Sequence, residues 1–261
     1  MPITDFQARF AAGGKAVNGW CAMPSPVTAE IMGRQGFDMM TVDLQHGLID
    51  YQMALTMLQV LQGLPAPVLA RLPWNEPGIM AKCLDAGFAG VICPMVNTVE
   101  DARALVQSAR YAPLGSRSFG PTRANMVYGA GYAKTANNRI LVLAMIETRE
   151  ALGNLDAILA VGGIDGVYVG PSDLGLSLGY EPTLDPSAPE VLEAIATIAT
   201  RAKAAGRIAG VHTGSPAMIR RMFAQGFDFA SLLTDARLFA SAVATELAAV
   251  HDTTAEVVKG Y

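Results

Sequence analysis

The chain is poor in cysteine, histidine, aromatic residues and charge, and each scarcity excludes a class of protein. Its three cysteines, Cys21, Cys83 and Cys93, form no Cys-x-x-Cys pair, so neither a disulfide framework nor a thiolate zinc centre is expected. They read as small buried hydrophobes. Charged residues make up only 16% of the chain, the formal net charge is −4, and no basic run exceeds the Arg220-Arg221 pair. The electrostatic footprint of non-specific nucleic-acid binding is therefore missing. The apolar stretch around Ile140 to Ile146 is far too short to cross a bilayer, so no membrane partner is expected. Asp5 and Arg9 interrupt the apolar residues Phe6 and Phe10, so the N-terminus lacks a signal-peptide core and a cytoplasmic location is expected.

What is present is apolar residue, 51% of 261, enough for one large core that buries about three quarters of the unfolded surface. Short apolar runs alternate with segments of helical period, without a linker or low-complexity break, as in a parallel sheet with crossover helices. Candidate strands are Val17–Cys21, Met39–Val42, Val68–Arg71, Gly90–Cys93, Leu141–Ile146, Gly166–Val169, Ile208–Val211 and Phe229–Leu232. Helical patterns fall at about 26–35, 50–62, 76–86, 98–110, 150–160, 188–205, 215–225 and 237–250. Gly36-Phe37-Asp38, Gly87-Phe88-Ala89 and Gly226-Phe227-Asp228 repeat one junction of helix stop, packing aromatic and next strand. Eight such units favour one (β/α)8 barrel over residues 1–261, with an open doubly wound sheet as the competing architecture.

Active sites on this barrel sit where strands end and βα loops begin. The predicted ends carry Asp43, Gln45 and His46, then Arg71, Glu147, Gly170-Pro171-Ser172-Asp173 and His212. Glu147 and Asp173 leave consecutive strands roughly 5 Å apart, close enough for two carboxylates to share one ion. Hard oxygen ligands suit Mg2+ or Mn2+. The competing reading is helix-start chemistry, with Asp173 capping a short helix at Leu174 and Glu147 supporting the first turn of helix 150–160.

Asp43 precedes His46 by three residues and can orient the imidazole as a base; a plain loop histidine is the alternative. Arg71 can bind a substrate carboxylate or steady an enolate oxygen, or simply pair with Glu76. The Gly170–Asp173 turn offers backbone N–H groups to an anion. His212 either faces the same rim or begins a helix, and His251 reads as structural or exposed.

Further absences narrow the chemistry. Lys15, Lys82, Lys134, Lys203 and Lys259 mark no strand end, so a Schiff-base aldolase lacks its amine. No serine sits in a Gly-x-Ser-x-Gly elbow. Val161-Gly162-Gly163-Ile164-Asp165-Gly166 precedes a strand and lacks the Gly-x-Gly-x-x-Gly spacing, which excludes a dinucleotide loop. Residues 111–139 form a long connection of little periodicity, expected to be a lid or subunit contact, with Arg117 and Arg123 read as solvated loop arginines and, in the competing reading, as binders of an acidic substrate.

Several ordered motifs run through nearly the whole chain. They are Phe37-Asp38 with Val42-Asp43-x-x-His46, Ala70-Arg71-x-Pro73-Trp74-Asn75, and Ala109-Arg110-Tyr111-x-Pro113-x-Gly115-x-Arg117. Ile146-Glu147-Thr148 and Val169-Gly170-Pro171-Ser172-Asp173-Leu174-x-x-Ser177-x-Gly179 complete the set. Together they resemble the HpcH/HpaI family of metal-dependent pyruvate aldolases. The resemblance implies a modified TIM barrel, commonly a hexamer (a dimer of trimers), whose last helix packs on a neighbouring subunit. It implies a divalent cation (Mg2+, Mn2+ or Co2+) on Glu147 and Asp173, and a base dyad of His46 with Asp43. Arg71 becomes the stabiliser of the pyruvate enolate, and the amides of Gly170, Pro171-Ser172 and Asp173 outline the pocket for the pyruvate carboxylate.

The implied reaction cleaves or forms the C3–C4 bond of a 4-hydroxy-2-oxo acid, with pyruvate or hydroxypyruvate as nucleophile and an aldehyde as acceptor. Loops such as 117–139, Trp20, Met23 and a neighbouring subunit are expected to shape the aldehyde half, and Trp20 and His212 to bind substrate. A CoA-thioester lyase of the citrate-lyase-like branch is the competing activity, but no basic surface near the rim offers itself to nucleotide phosphates. Many relatives carry Glu where this chain has Gln45, and Gln where it has Met145.

Overall fold

A computed structural model describes residues 8–254; Asp5, Phe6 and Lys259 lie outside them. Eight parallel strands close into a barrel in sequence order: β1 (Ala16–Cys21), β2 (Met39–Asp43), β3 (Val68–Arg71), β4 (Gly90–Cys93), β5 (Leu141–Ile146), β6 (Gly166–Val169), β7 (Ile208–Thr213) and β8 (Phe229–Leu232). Closure is made by β8 pairing with β1, which sets Asn18 opposite Ser231. The open-sheet alternative is thereby excluded.

Helices cover the outside: α1 (Pro26–Gly33), α2 (Tyr51–Leu61), α3 (Pro77–Ala86), α4 (Val99–Ala109), α5 (Thr122–Tyr128), α6 (Tyr132–Arg139), α7 (Arg149–Gly153), α8 (Leu155–Leu159), α9 (Pro171–Leu178), α10 (Pro189–Ala204), α11 (Pro216–Ala224) and α12 (Asp235–Val250). Their starts follow local chemistry. Ser25, Asp50, Thr98, Thr148, Ser215 and Thr234 each accept a backbone N–H of the first turn. Thr98 and Asp101 complete a capping box.

Period-two alternation sorts each strand into an inner and an outer row. Val142, Ala144 and Ile146 pack outward against the helices, whereas Leu141, Leu143 and Met145 fill the barrel. Val17 packs with the outer set while Ala16 and Trp20 belong to the inner one, and Val42 and Met40 face out while Met39 faces in. Continuing the inner parity past the apolar residues reaches Asp43, Arg71, Glu147 and His212. A polar rim above an apolar plug follows directly from this phase.

Three expectations are corrected. Helix 150–160 is two short helices, because Gly153 and Asn154 stop the first. Connection 111–139 is not devoid of periodic structure: it contains α5 and α6, whose Ala124, Tyr132 and Ala136 form a satellite core with Tyr111. Arg117 is buried, not solvated; its Nη2 donates to Asp85 Oδ1, and its guanidinium carbon lies 4.5 Å from the Tyr111 ring centroid. Arg123 is half-buried and donates to the Ala86 carbonyl at 2.5 Å.

Candidate active site

A cavity of about 670 Å3 opens at the C-terminal ends of the strands. Among its lining residues are Trp20, Asp43, His46, Arg71, Gly170, Pro171, Ser172, Asp173 and His212, so one wall-to-wall space collects nearly all the residues singled out from sequence. Glu147 lies immediately behind Gly170: a Cβ built on Gly170 would sit 2.6 Å from Glu147 Oε2.

Neither carboxylate of the proposed pair serves as a helix cap. Thr148 caps α7 and Gly170 occupies the cap position of α9, with Asp173 in its first turn. Glu147 is 2% exposed, and its Oε1 accepts the Met95 N–H at 2.7 Å. Met95 reaches it from a left-handed backbone (φ 54), a strained state for a residue with a Cβ. Burial pushes the Glu147 carboxyl up to about 7, the Met95 N–H opposes this, and the Asp173 charge adds to it. A desolvated carboxylate crowded by a second one, in a cradle that only glycine leaves open, is the environment a divalent cation relieves. The residues therefore fit such an ion, which Glu147 and half-buried Asp173 would hold.

Asp43 and Arg71 are directly opposite in the β2–β3 register. Arg71 donates from Nε to Asp43 Oδ1 at 2.8 Å and from Nη2 to Oδ2, and both side chains are nearly inaccessible at 7% and 2%. Asp43 also accepts from Trp20 Nε1 (3.2 Å) and from the backbone N–H groups of Gln45 (3.0 Å) and His46 (3.2 Å). Burial raises the Asp43 carboxyl, but the Arg71 bond and charge outweigh it and hold the group below the ordinary carboxylate range. Arg71 is thus paired with Asp43, while Glu76 is used as the cap of α3, where it accepts from Gly78 and Ile79. Asp43 orients His46 through its backbone N–H. Burial and the Arg71 charge lower the His46 pKa against the opposing pull of Asp43 and Asp173, so the imidazole is neutral at pH 7.

β7 runs two residues further than predicted, so His212 lies within a strand on the inner row. Its ring meets Trp20 edge-on at 4.7 Å, and Trp20 stacks on Tyr168 at 5.6 Å. Tyr168, Met95, Thr234 and Arg237 belong to the site or its support and were not anticipated. Tyr168 shares the inner parity of Gly170 and was legible in principle; Met95, Thr234 and Arg237 carry no local signal. Gln45 Oε1 is buried with no hydrogen-bond partner among the described residues.

A closed parallel barrel with paired carboxylates, a neutral imidazole and a pinned guanidinium on its C-terminal rim defines an α/β-barrel enzyme. The chain belongs to the HpcH/HpaI aldolase/citrate lyase family, whose model matches residues 18–258. It is 43% identical over 230 residues to a hydroxypyruvate/pyruvate aldolase of Rhizorhabdus wittichii, covering 88% of this chain and 92% of that one. It is 37% identical over 240 residues to a 5-keto-4-deoxy-D-glucarate aldolase of Shigella dysenteriae, covering 91% and 93%. The crystal structure of an HpcH/HpaI aldolase/citrate lyase family protein from Burkholderia cenocepacia superposes with a TM-score of 0.88 at 26% identity, over 95% of this chain and 99% of that one.

Proposed function

We propose that the protein is a carbon–carbon lyase that cleaves or forms 4-hydroxy-2-oxo acids, with pyruvate or hydroxypyruvate as the nucleophilic half. The observation that carries this reading is the convergence of Asp173, Arg71 and His46 on one cavity with Glu147 directly behind its Gly170, in a chain related over 88% of its length to an aldolase of that type. Glu147 and Asp173 would hold a divalent cation (Mg2+, Mn2+ or Co2+), which would supply Lewis-acid stabilisation of developing negative charge.

The chain's own groups do the rest. Backbone N–H groups at the start of α9, from Ser172 and Asp173, receive the 2-oxo acid carboxylate, where the helix dipole favours an anion. In cleavage, neutral His46 takes the proton of the 4-hydroxyl; the C3–C4 electrons pass to C2 and its oxygen, and an aldehyde leaves. Asp43 grips two nitrogens of Arg71, which fixes the guanidinium plane at the cavity wall to stabilise the enolate. Protonation at C3 gives the 2-oxo acid product. Trp20 and His212 border the aldehyde half.

A homo-oligomer, the hexamer implied by the resemblance, is part of the proposal. Its support is α12: of sixteen residues only Asp235 and Ala248 are buried, while Phe239, Val243, Leu247 and Val250 are exposed. Incubating cation-loaded protein with pyruvate or hydroxypyruvate in deuterium oxide tests the assignment. The C3 proton signals should disappear; their persistence, with protein present at high concentration, refutes enolisation.

A further inference from the structure

A second cavity lies at the opposite end of the barrel, beside the N-terminal ends of β3 and β4, and shares no lining residue with the first. It encloses about 150 Å3. The end of α2, the loop after it and the α5–α6 insertion wall it in, and Leu58, Leu64, Val68 and Ile140 supply apolar surface. Val127, 38% exposed, marks its open side.

The insertion builds this cavity around one glycine. Gly36, Gly87 and Gly226 hold the same helix-stop position in three βα units, each with a positive φ. A Cβ added at Gly36 or Gly226 would meet nothing within 4 Å. At Gly87 it would meet Tyr128 Cε2 at 3.6 Å and Gln62 Nε2 at 3.7 Å. The Gly87 carbonyl is used as well, because Tyr128 Oη donates to it at 2.8 Å. A carbonyl can only accept, so the single Tyr128 hydroxyl proton is committed there. The Gln62 amide atom 3.3 Å from Tyr128 Oη must then be the nitrogen, donating. Gln62 Oε1 is left buried, with no hydrogen-bond partner among the described residues. Tyr132 stacks on Tyr128 with ring centroids 5.6 Å apart, and the Arg139 guanidinium lies over the Tyr128 ring at 5.6 Å. This wall is therefore fixed before any ligand arrives.

Two properties define what the cavity takes. Its volume matches a single six-membered ring, since an apolar cavity of about 150 Å3 binds benzene. Its orphaned amide oxygen can only accept, and a buried acceptor left without a donor is costly.

We infer that this cavity is a second ligand site, which takes a single-ring aromatic compound carrying one hydrogen-bond donor, with the donor on Gln62 Oε1 and the ring beside Leu58, Val68 and Tyr128. Strand β3 joins the two sites, running from Val68 here to Arg71 in the larger cavity. Occupancy does not depend on which reaction runs at the far end of the barrel.

The test uses the full-length protein with phenol and with fluorobenzene, which has the same ring and nearly the same size but no proton to donate. Ligand-observed NMR measures both affinities. Phenol should bind with a Kd of about 1 mM or tighter, a modest efficiency for so small a ligand. Fluorobenzene should bind about tenfold more weakly, the weight of a hydrogen bond to a group otherwise left unsatisfied. Gln62→Met keeps the side-chain length and removes the acceptor. It should bring phenol down to the affinity of fluorobenzene, while fluorobenzene itself stays within about twofold of its wild-type value, which shows the cavity intact. Saturating pyruvate should not displace phenol.

Absence of saturable phenol binding up to about 10 mM overturns the site. Equal wild-type affinity for the two rings, phenol binding unmoved by Gln62→Met, or displacement by pyruvate overturns it equally.

Discussion

Replacing Asp43 with Asn leaves the shape of the site but strips the negative charge from a pair whose side chains are 2% and 7% exposed. Arg71 keeps its charge at any attainable pH, so the variant holds the guanidinium against the Trp20 ring, 4.9 Å from its centroid, without its two-point carboxylate partner. Breaking a buried pair from one side costs about 3–5 kcal/mol, because the remaining ion loses its bonded counter-charge without gaining solvent. For a chain of this size each kcal/mol moves the melting temperature by about 2–4 °C, which gives a fall of about 6–20 °C. Thermal unfolding followed by circular dichroism measures it.

The double variant Asp43→Asn with Arg71→Met removes the buried guanidinium charge as well and should recover at least half of the loss. Acid provides a second reading. The folded carboxyl is held below its unfolded value near 3.9, so its contribution is complete above that pH and fades as pH falls through the folded value. Wild type should therefore lose, below about pH 4, a component of stability that Asp43→Asn lacks from the start. A single variant melting within about 2 °C of wild type refutes the account of the pair.

Other perturbations address the carboxylates and the insertion. Exhaustive chelation, or Glu147→Ala, should slow pyruvate C3 exchange by at least about a thousandfold, the weight of several kcal/mol of Lewis-acid stabilisation; exchange at the native rate contradicts the site. Burial raises Glu147 to about 7, so its neutral form favours the cation-free fold. That contribution is present below the unfolded value near 4.3 and is lost as pH rises through about 7. The thermal shift produced by Mn2+ should accordingly grow between about pH 5 and pH 8, and a pH-independent shift argues against Glu147 as a ligand. Gly170→Ala puts a methyl group 2.6 Å from Glu147 Oε2, and should weaken Mn2+ binding, followed by calorimetry, at least tenfold while the cation-free protein still folds. Arg117→Met should destabilise by about 2–4 kcal/mol in denaturant titrations, since Asp85 loses its partner and Tyr111 its stacked cation; an unchanged midpoint means that the buried arginine is not structural.

Much of this molecule was legible residue by residue. The strands were found because apolar runs of four to six residues sit between glycines and caps, and their ends were misjudged at Ala16, which opens β1, and where polar residues continue the ladder. Asp43, His212 and Thr213 belong to strands because backbone pairing is indifferent to polarity once the inner face opens into a cavity. Arg117 was misread because a loop rich in Gly, Pro and Arg looks solvated until Asp85 and Tyr111 arrive from elsewhere in the chain.

Alternation along each strand is a local property, and it alone determined that Leu141, Leu143, Met145 and Glu147 share one inward row. What stands opposite a given side chain is not local. Barrel closure brings Asn18 to Ser231, 213 positions away, where the Asn18 amide donates to the serine hydroxyl. The β2–β3 register gives Asp43 to Arg71 as a bonded partner, leaving His46 to be oriented through its backbone. Side-chain periodicity is written in neighbouring residues; register and closure arise only when all eight strands pack at once, and that is where the partners at the rim were decided.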